Sequence, residues 1–136
     1  MNRKKRNIYL ILVFILLAAL ASACATSYRT SSKILGSSGE VRVQLKETSG
    51  VKSTSVEINE DWWNERLYVT ATFSVEAGTC RATLSGDDGT EMVLDASQGN
   101  PAEAFGELVT DAFGDLSLQT DCQGGQNLDL KISFTL

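Results

Sequence analysis

Residues 40–136 alternate between apolar and polar side chains with a period of two. In residues 66–75 every second side chain is apolar, from Leu67 to Val75. On a β-strand this period turns one set of side chains toward a core and the other toward water. Shorter segments with the same period are 41–45, 56–58, 80–84, 116–120 and 128–136. The pattern predicts an all-β fold, with helix expected only in the N-terminal signal region.

Glycine-containing pairs and triplets separate these segments and predict tight hairpin turns. Seven or eight short antiparallel strands fit an antiparallel β-sandwich better than a single open sheet, which would leave one apolar face in water. A small β-barrel is the alternative. The turn signals are Ala77-Gly78, Asp87-Asp88-Gly89 and Gly124-Gly125. The hairpins they predict are 66–76 with 79–85, 79–85 with 90–95, and 115–122 with 126–136.

The N-terminus has the three zones of an export signal. Residues 3–6 are all Lys or Arg, residues 8–21 are apolar or small, and Ala21, Ser22 and Ala23 are small enough for a signal peptidase cleft. The apolar run is short for a membrane-spanning helix, which needs about 20 residues. We therefore predict that residues 1–23 are a removed signal peptide.

The segment Leu20-Ala21-Ser22-Ala23-Cys24 resembles the lipobox of bacterial lipoproteins, although Leu20 lies one place earlier than in that family. The resemblance covers residues 1–24 only. It implies cleavage before Cys24, a lipid on Cys24, and anchoring on the extracytoplasmic face of a bacterial membrane. The same residues also fit a plain secretory signal, which would give a secreted protein without lipid.

The cysteine count bears on this choice, because an exported chain with three cysteines has one left over once a disulfide forms. Cys80 is in phase with the apolar residues of its segment, and Cys122 is in phase with Leu116 and Leu118. Both side chains are therefore expected in the same core, where they predict a structural disulfide. Cys24 then remains as the predicted site of lipid attachment.

Residues 24–39 are rich in Ser, Thr and Gly and lack a sustained period, which is typical of a flexible tether. Residues 40–136 then form the predicted β-sandwich domain. The alternative for the tether is an added edge strand that uses Tyr28, Ile34 and Leu35.

Charge limits the partners that the domain can have. Four of the 12 Lys and Arg residues lie in the signal, so the mature chain has 8 basic residues against 17 acidic ones, a net charge of −9. Such a surface repels nucleic acid and anionic lipid headgroups. Acids cluster at 87–91 and at Asp111 with Asp115, but no D-x-D-x-D-G loop is present, so neither calcium nor another metal is predicted.

Catalysis is disfavoured by composition. The chain has no histidine, which removes the commonest general base and metal ligand. With Cys80 paired to Cys122 and Cys24 acylated, no thiol is left as a nucleophile. The sequence therefore predicts a protein that is not an enzyme and needs no cofactor.

Exposed aromatic side chains are the candidate binding residues. Trp62 and Trp63 are adjacent, so at most one can be core on a strand, and Tyr68 lies on the outward register of the next strand. Residues 103–108 return as 111–116, and each copy reads as a turn that presents Phe105 or Phe113. The alternatives are that both tryptophans plug the end of the sandwich and that the repeat is a pair of ordinary hairpin corners.

Two functions from different classes remain. The first is a lipid-anchored binding module at the bacterial cell surface that engages an envelope protein or a glycan. The second is a structural envelope lipoprotein without a small-ligand site, whose strand edge pairs with other proteins.

Overall fold

The computed structural model describes residues 28–136, which form seven antiparallel strands. The predicted signal peptide and Cys24 lie outside the described residues. The strands are β1 (Arg29–Leu35), β2 (Ser38–Glu57), β3 (Arg66–Ser74), β4 (Ala77–Ser85), β5 (Glu91–Ser97), β6 (Ala102–Val109) and β7 (Asp115–Thr135). Among residues 28–136 no helix is long and apolar enough to cross a bilayer.

Strands β2 and β7 are 20 and 21 residues long, and each takes part in two layers. The second half of β7 lies between the first half of β2 and β3, in the order β1-β2-β7-β3-β6. Its first half lies between the second half of β2 and β4, and β4 pairs with β5. The result is a sandwich of a five-stranded and a four-stranded layer, which does not close into a barrel. The predicted all-β antiparallel fold is confirmed.

The long strands bend where their pairing register shifts. In β2 the shift lies between Thr48 and Gly50. In β7 Gly124 and Asn127 have φ values of 62° and 48°, in the left-handed region that glycine and asparagine tolerate. The hairpin predicted at Gly124-Gly125 is therefore wrong. Residues 115–122 and 126–136 follow one another along one bent strand and lie in different layers.

A second predicted hairpin is also wrong. Strand β3 pairs with β6 and β7, whereas β4 pairs with β5 and β7. The Ala77-Gly78 turn signal marks a crossing from one layer to the other, where the Glu76 amide donates to the Gln126 carbonyl at 2.9 Å. The predicted pairing of β4 with β5 is confirmed.

The core lies between the two layers and takes its side chains from the inward register of the strands. Cys80 on β4 and Cys122 on β7 are directly opposed, with Cα atoms 4.1 Å apart, and form the predicted disulfide. Both are buried. Gly125 packs against this bond, since a Cβ there would lie 2.6 Å from Cys80 Sγ. The disulfide thus fastens two neighbouring strands of the four-stranded layer beside the bend of β7.

Strand β1 lies within the segment that we expected to be a flexible tether. Its seven residues are exposed, and it pairs with residues Ser38 to Gln44 of β2. This is the edge strand that the sequence offers as the alternative to a tether. It forms because β2 offers a free edge and because Tyr28 reaches the other layer, where its hydroxyl lies 3.3 Å from Thr120 Oγ1.

Candidate functional site

The outward face of the five-stranded layer carries a shallow groove of about 720 Å³. The groove lies over two adjacent rows of residues that cross all five strands. The first row is Glu107, Tyr68, Thr135, Ser38 and Leu35, and the second is Phe105, Thr70, Ser133, Glu40 and Lys33. With four inter-strand gaps of about 4.8 Å, the rows span roughly 19 Å. A volume of this size falls in the range of small-molecule sites.

Large side chains stand at both edges of the groove. Phe105 and Tyr68 are 83% and 55% exposed, and Leu35 on the opposite edge is 67% exposed. Phe105 faces Thr70 across the β3–β6 pair, and Tyr68 faces Glu107. The two rings are therefore diagonal neighbours on one face, roughly 7–8 Å apart along the sheet. Together they offer a ring surface at one wall.

The floor of the groove between these walls consists mainly of serine and threonine side chains. Ser38, Thr70, Ser133 and Thr135 all line the groove. Each hydroxyl is both a donor and an acceptor of hydrogen bonds. A floor of this kind suits a ligand that itself carries many hydroxyl groups.

Most charges around the groove are already paired. Glu107 contacts Arg66 at 2.8 Å, and Glu40 lies 3.4 Å from Lys131. Among the described residues Lys33 makes no ion pair. The groove therefore presents little uncompensated charge to a ligand.

A second aromatic surface lies at one end of the sandwich, on the loops 58–65 and 110–114, which we call the tip surface. Trp63 and Phe113 are exposed there, by 62% and 76%. Trp62 instead turns inward, and its ring meets Phe134 edge-on with centroids 5.8 Å apart. Of the two adjacent tryptophans, Trp62 thus packs at the edge of the core and Trp63 faces solvent.

The two loops of the tip surface are locked together. The Asn64 amide donates to the Asp111 carbonyl at 2.9 Å, and the Ile58 amide donates to the Gly114 carbonyl at 3.1 Å. The fully buried Thr110 hydroxyl donates to the Trp62 carbonyl and accepts from the Glu65 amide. The backbone that carries each exposed ring is therefore fixed by hydrogen bonds in the unbound protein.

The acidic clusters serve turns in the described part of the chain. Asp88 accepts a hydrogen bond from the Thr90 amide at 3.1 Å, and this bond lowers the pKa of the Asp88 carboxyl. Asp111 accepts from the amides of Phe113 and Asp115, at 2.8 and 3.0 Å. Within residues 28–136 no three acids or cysteines converge in a way that would hold a metal ion.

No protein-family model matches the chain, and no curated protein resembles it in sequence. Several solved structures match the chain at low similarity. The procruciferin 11S globulin from Brassica napus is 12% identical over 73% of this chain and 21% of its own length, with a TM-score of 0.33. This chain also spans only 26% of the pumpkin pro-11S globulin.

Carbohydrate-binding modules are among these neighbours. The CBM22-1 xylan-binding domain from Paenibacillus barcinonensis is 12% identical over 83% of this chain and 82% of its own, with a TM-score of 0.41. The CBM6cm-2 module of a Cellvibrio mixtus lichenase, solved with cellotriose, is 13% identical over 83% and 90%, with a TM-score of 0.36. Likeness at this level carries no function to the present chain.

The structure separates the aromatic residues that the sequence analysis grouped together. Tyr68 and Phe105 meet at the groove, Trp63 and Phe113 lie on the tip surface, and Trp62 packs inward. The repeat of 103–108 and 111–116 is not repeated in structure, because the first copy lies within β6 and the second begins in a turn.

The groove contains residues that sequence reasoning missed. Lys33, Leu35, Ser38, Ser133 and Thr135 come together only through the register of β1, β2 and β7. The alternation could have placed Ser133 and Thr135 on an outward face. Nothing in the sequence pairs that face with Leu35.

Proposed function

We propose that this protein is an extracytoplasmic binding module that holds a glycan chain in the groove of the five-stranded layer. The observation that carries the proposal is the pairing of the Tyr68 and Phe105 rings with a hydroxyl-paved floor. Sugar rings have apolar C–H faces that pack on aromatic rings, and hydroxyl rims that exchange hydrogen bonds with a polar floor. The span of roughly 19 Å suits an oligosaccharide that runs across the strands.

Neutral glycans fit the groove better than charged ones. The two carboxylates of the groove, Glu40 and Glu107, are already engaged with Lys131 and Arg66. A ligand with many carboxylates or phosphates would meet Lys33 as the one basic residue that lines the groove in the described part of the chain, within a mature chain of net charge −9. The hydroxyl groups of a neutral sugar need no such partner.

We expect the groove to act by binding rather than by catalysis. The chain has no histidine. Both groove carboxylates, Glu40 and Glu107, are held in ion pairs on an open face from which water is not excluded. The role we assign to the rings is to hold a ligand at the cell surface.

The experiment is isothermal titration of the domain with cellohexaose, maltohexaose and the N-acetylglucosamine hexamer. We expect at least one of the three to bind, and Phe105→Ala or Tyr68→Ala to weaken it about tenfold, equivalent to about 1.4 kcal/mol. Tyr68→Phe keeps the ring and should stay within a few-fold of the wild type. Val93→Ala, which removes an exposed side chain from the opposite face, is the matched control.

Two outcomes would overturn the groove as a glycan site. One is the failure of all three hexasaccharides to bind at millimolar concentration. The other is a loss of affinity in Val93→Ala as large as that in Phe105→Ala. Because Phe105 and Tyr68 are exposed, neither ring variant should change the thermal unfolding midpoint by much, and this midpoint is the folding control.

We further propose that the domain is held on the outer face of a bacterial membrane through a lipid on Cys24. The lipobox-like segment and the pairing of Cys80 with Cys122 support this, since the disulfide leaves Cys24 as the remaining cysteine. Intact mass of the membrane-extracted protein should give a chain that begins at Cys24, with one disulfide and a diacylglyceryl group. A soluble product with a free thiol would contradict the anchor.

A further inference from the structure

The tip surface carries two exposed aromatic side chains that the proposed function does not use. Trp63 and Phe113 lie on different loops, and each is within two residues of the hydrogen bond between Asn64 and Asp111. Large exposed aromatic side chains that cluster on a small domain mark interaction sites. Trp and Phe on held backbone are also suited to act as anchors, because little freedom is lost when a partner covers them.

Backbone contacts fix the tip surface before binding. Gly114 has a φ of 78°, and a Cβ at this position would lie 1.9 Å from the Asn59 carbonyl oxygen, so the two loops touch directly. The Asp111 carboxylate shapes the second loop by accepting hydrogen bonds from the Phe113 amide and from the Asp115 amide at the start of β7. The aromatic rings therefore project from an interlocked base.

The surroundings of the two rings are strongly acidic. Segments 57–65 and 110–116 contain no Lys or Arg, and Arg66, which follows Glu65, is already paired with Glu107 at 2.8 Å. Their acids are Glu57, Glu60, Asp61, Glu65, Asp111 and Asp115. Burial and then the nearby Asp111 and Glu57 raise the pKa of the Asp115 carboxyl, as expected where like charges crowd. A partner with positive charge would relieve this repulsion.

The tip surface also lies far from the start of the described chain. Tyr28 and Arg29 are at the end of the five-stranded layer where Gln44 lies, whereas Leu35 and Ser38 are at the end where β3 begins, next to loop 58–65. The length of β1 separates the two ends by roughly 20 Å. The tip surface therefore points away from the side on which an N-terminal anchor would hold the domain.

We propose that the tip surface docks a protein partner whose contact face has Lys or Arg residues around an apolar pocket. Trp63 and Phe113 fill the pocket, and the acids of the two loops meet the cations at its rim. Charge complementarity of this kind speeds association and excludes acidic partners, while the desolvated rings supply most of the affinity. An anionic membrane is a poorer occupant, because the same acids repel its headgroups.

The test uses a synthetic helical peptide with Lys and Leu on opposite faces as a surrogate for such a partner. Two matched peptides replace every Lys by Glu or every Leu by Ser. We expect the Lys/Leu peptide to bind in low salt, to blue-shift tryptophan emission, and to lose affinity as salt rises. The Glu/Leu peptide should not bind, and the Lys/Ser peptide should bind at least tenfold more weakly.

Variants locate the contact. Trp63→Ala with Phe113→Ala should lower the affinity for the Lys/Leu peptide at least tenfold, and Asp61→Asn with Glu65→Gln should flatten its salt dependence. Tyr68→Ala with Phe105→Ala, which disables the groove, should leave this affinity unchanged. Failure of the groove and failure of the tip surface are thus distinguishable. Hydrogen exchange should show new protection at the amides of loops 58–65 and 110–114.

Several outcomes would overturn the proposal. They are equal binding by the Lys/Ser peptide, no binding of the Lys/Leu peptide at about 1 mM, and an unchanged affinity in the Trp63 and Phe113 double variant. Stronger binding to phosphatidylglycerol vesicles than to the peptide would assign the surface to a membrane instead. Both rings are exposed, so the double variant should fold, and its circular dichroism spectrum checks this.

Discussion

The outward faces of the two layers are built on the same long strands but present different chemistry. The five-stranded face has the groove with Tyr68 and Phe105, whereas the four-stranded face exposes only Val51 and Val93 among its large apolar side chains. Ion pairs occur on both, Arg42 with Asp129 on the first and Arg81 with Asp95 on the second. Charge pairing therefore does not distinguish the two faces, and aromatic content does.

Strand β7 contributes to both layers, yet its own outward side chains do not account for the difference between the two faces. The outward residues of β7 include Ser133 and Thr135 beneath the groove, and Ser117 and Gln119 on the opposite layer. Both sets are small or polar. The groove arises because neighbouring strands β3, β6 and β1 supply Tyr68, Phe105 and Leu35 on one layer, while β4 and β5 supply no exposed apolar side chain larger than Val93 on the other.

The largest predicted effect concerns the disulfide, which lies in the four-stranded layer alone. Its loss should lower the stability of the protein without changing ligand binding on the five-stranded layer. Replacing both Cys80 and Cys122 by Ala should lower the free energy of unfolding by about 4 kcal/mol, because the bond closes a loop with a sequence separation of 42 residues. Urea unfolding measures the change. Where the variant is still folded, its groove should bind the hexasaccharide with affinity within about twofold of the wild type.

A loss of stability below about 1 kcal/mol would contradict this account of the disulfide. A parallel loss of glycan affinity would contradict the separation of the two layers, and would show that the groove depends on the bend of β7. Chemical reduction of the wild-type protein is the control, since it removes the bond without changing the sequence.

Two glycines with left-handed backbone allow the packing of two turns to be compared. Gly36, in the turn between β1 and β2, and Gly114, just before β7, have φ values of 61° and 78°. A Cβ at Gly36 would meet nothing within 4 Å, whereas at Gly114 it would overlap the Asn59 carbonyl. Gly36→Ala should cost about 1 kcal/mol for the left-handed backbone, and Gly114→Ala about 3 kcal/mol, since the loops must also move apart.

Equal costs, measured by urea unfolding, would show that the loops of the tip surface are not interlocked. Glycan titration of Gly36→Ala then measures whether a change in the β1–β2 turn alters the affinity of the nearby groove.

The smallest effects should have opposite signs at two acids of the four-stranded layer. The Arg81 hydrogen bonds lower the pKa of Asp95, whereas burial and then Asp111 and Glu57 raise the pKa of Asp115. Asp95→Asn should therefore destabilise the protein at neutral pH. Asp115→Asn should stabilise it, because the ionised carboxyl is disfavoured in the folded state.

The stability difference between each variant and the wild type should disappear at low pH, over a different pH range for each variant. The benefit of Asp115→Asn is present above the raised pKa and disappears as the pH falls through it to the ordinary value of about 3.9. The cost of Asp95→Asn is full above that ordinary value and disappears as the pH falls through the lowered pKa. Thermal unfolding midpoints between about pH 3 and pH 7 measure both. The same sign for the two variants would contradict the assignment of these carboxyls.

The faces of the strands could be predicted from sequence because alternation decides which side chains point inward. Leu67, Ala71 and Phe73 are buried as their period requires, and the shared inward phase of Cys80 and Cys122 anticipated the disulfide. Strand partners could not be predicted in the same way. Gly124-Gly125 has the composition of a hairpin turn, yet here it bends a continuous strand, because glycine permits both geometries.

The candidate site was predictable only in part. Tyr68 is outward by register, and its exposure follows from the period of β3. Phe105 was expected at a loop corner and instead lies in β6. The hydroxyl floor and the far wall at Leu35 depend on which strands are neighbours, and that information is carried by long-range pairing rather than by any local motif.

The central position of β7 also determines when this domain can fold. Without β7, each of β2, β3 and β4 keeps only one partner, so the chain is reduced to the ribbons β1–β2, β3–β6 and β4–β5. Two-stranded ribbons are marginal in water. A chain that emerges from its N-terminus therefore gains no stable sheet until residues 115–135 are free. For a protein proposed to cross a membrane, this topology delays folding until the whole domain has been delivered.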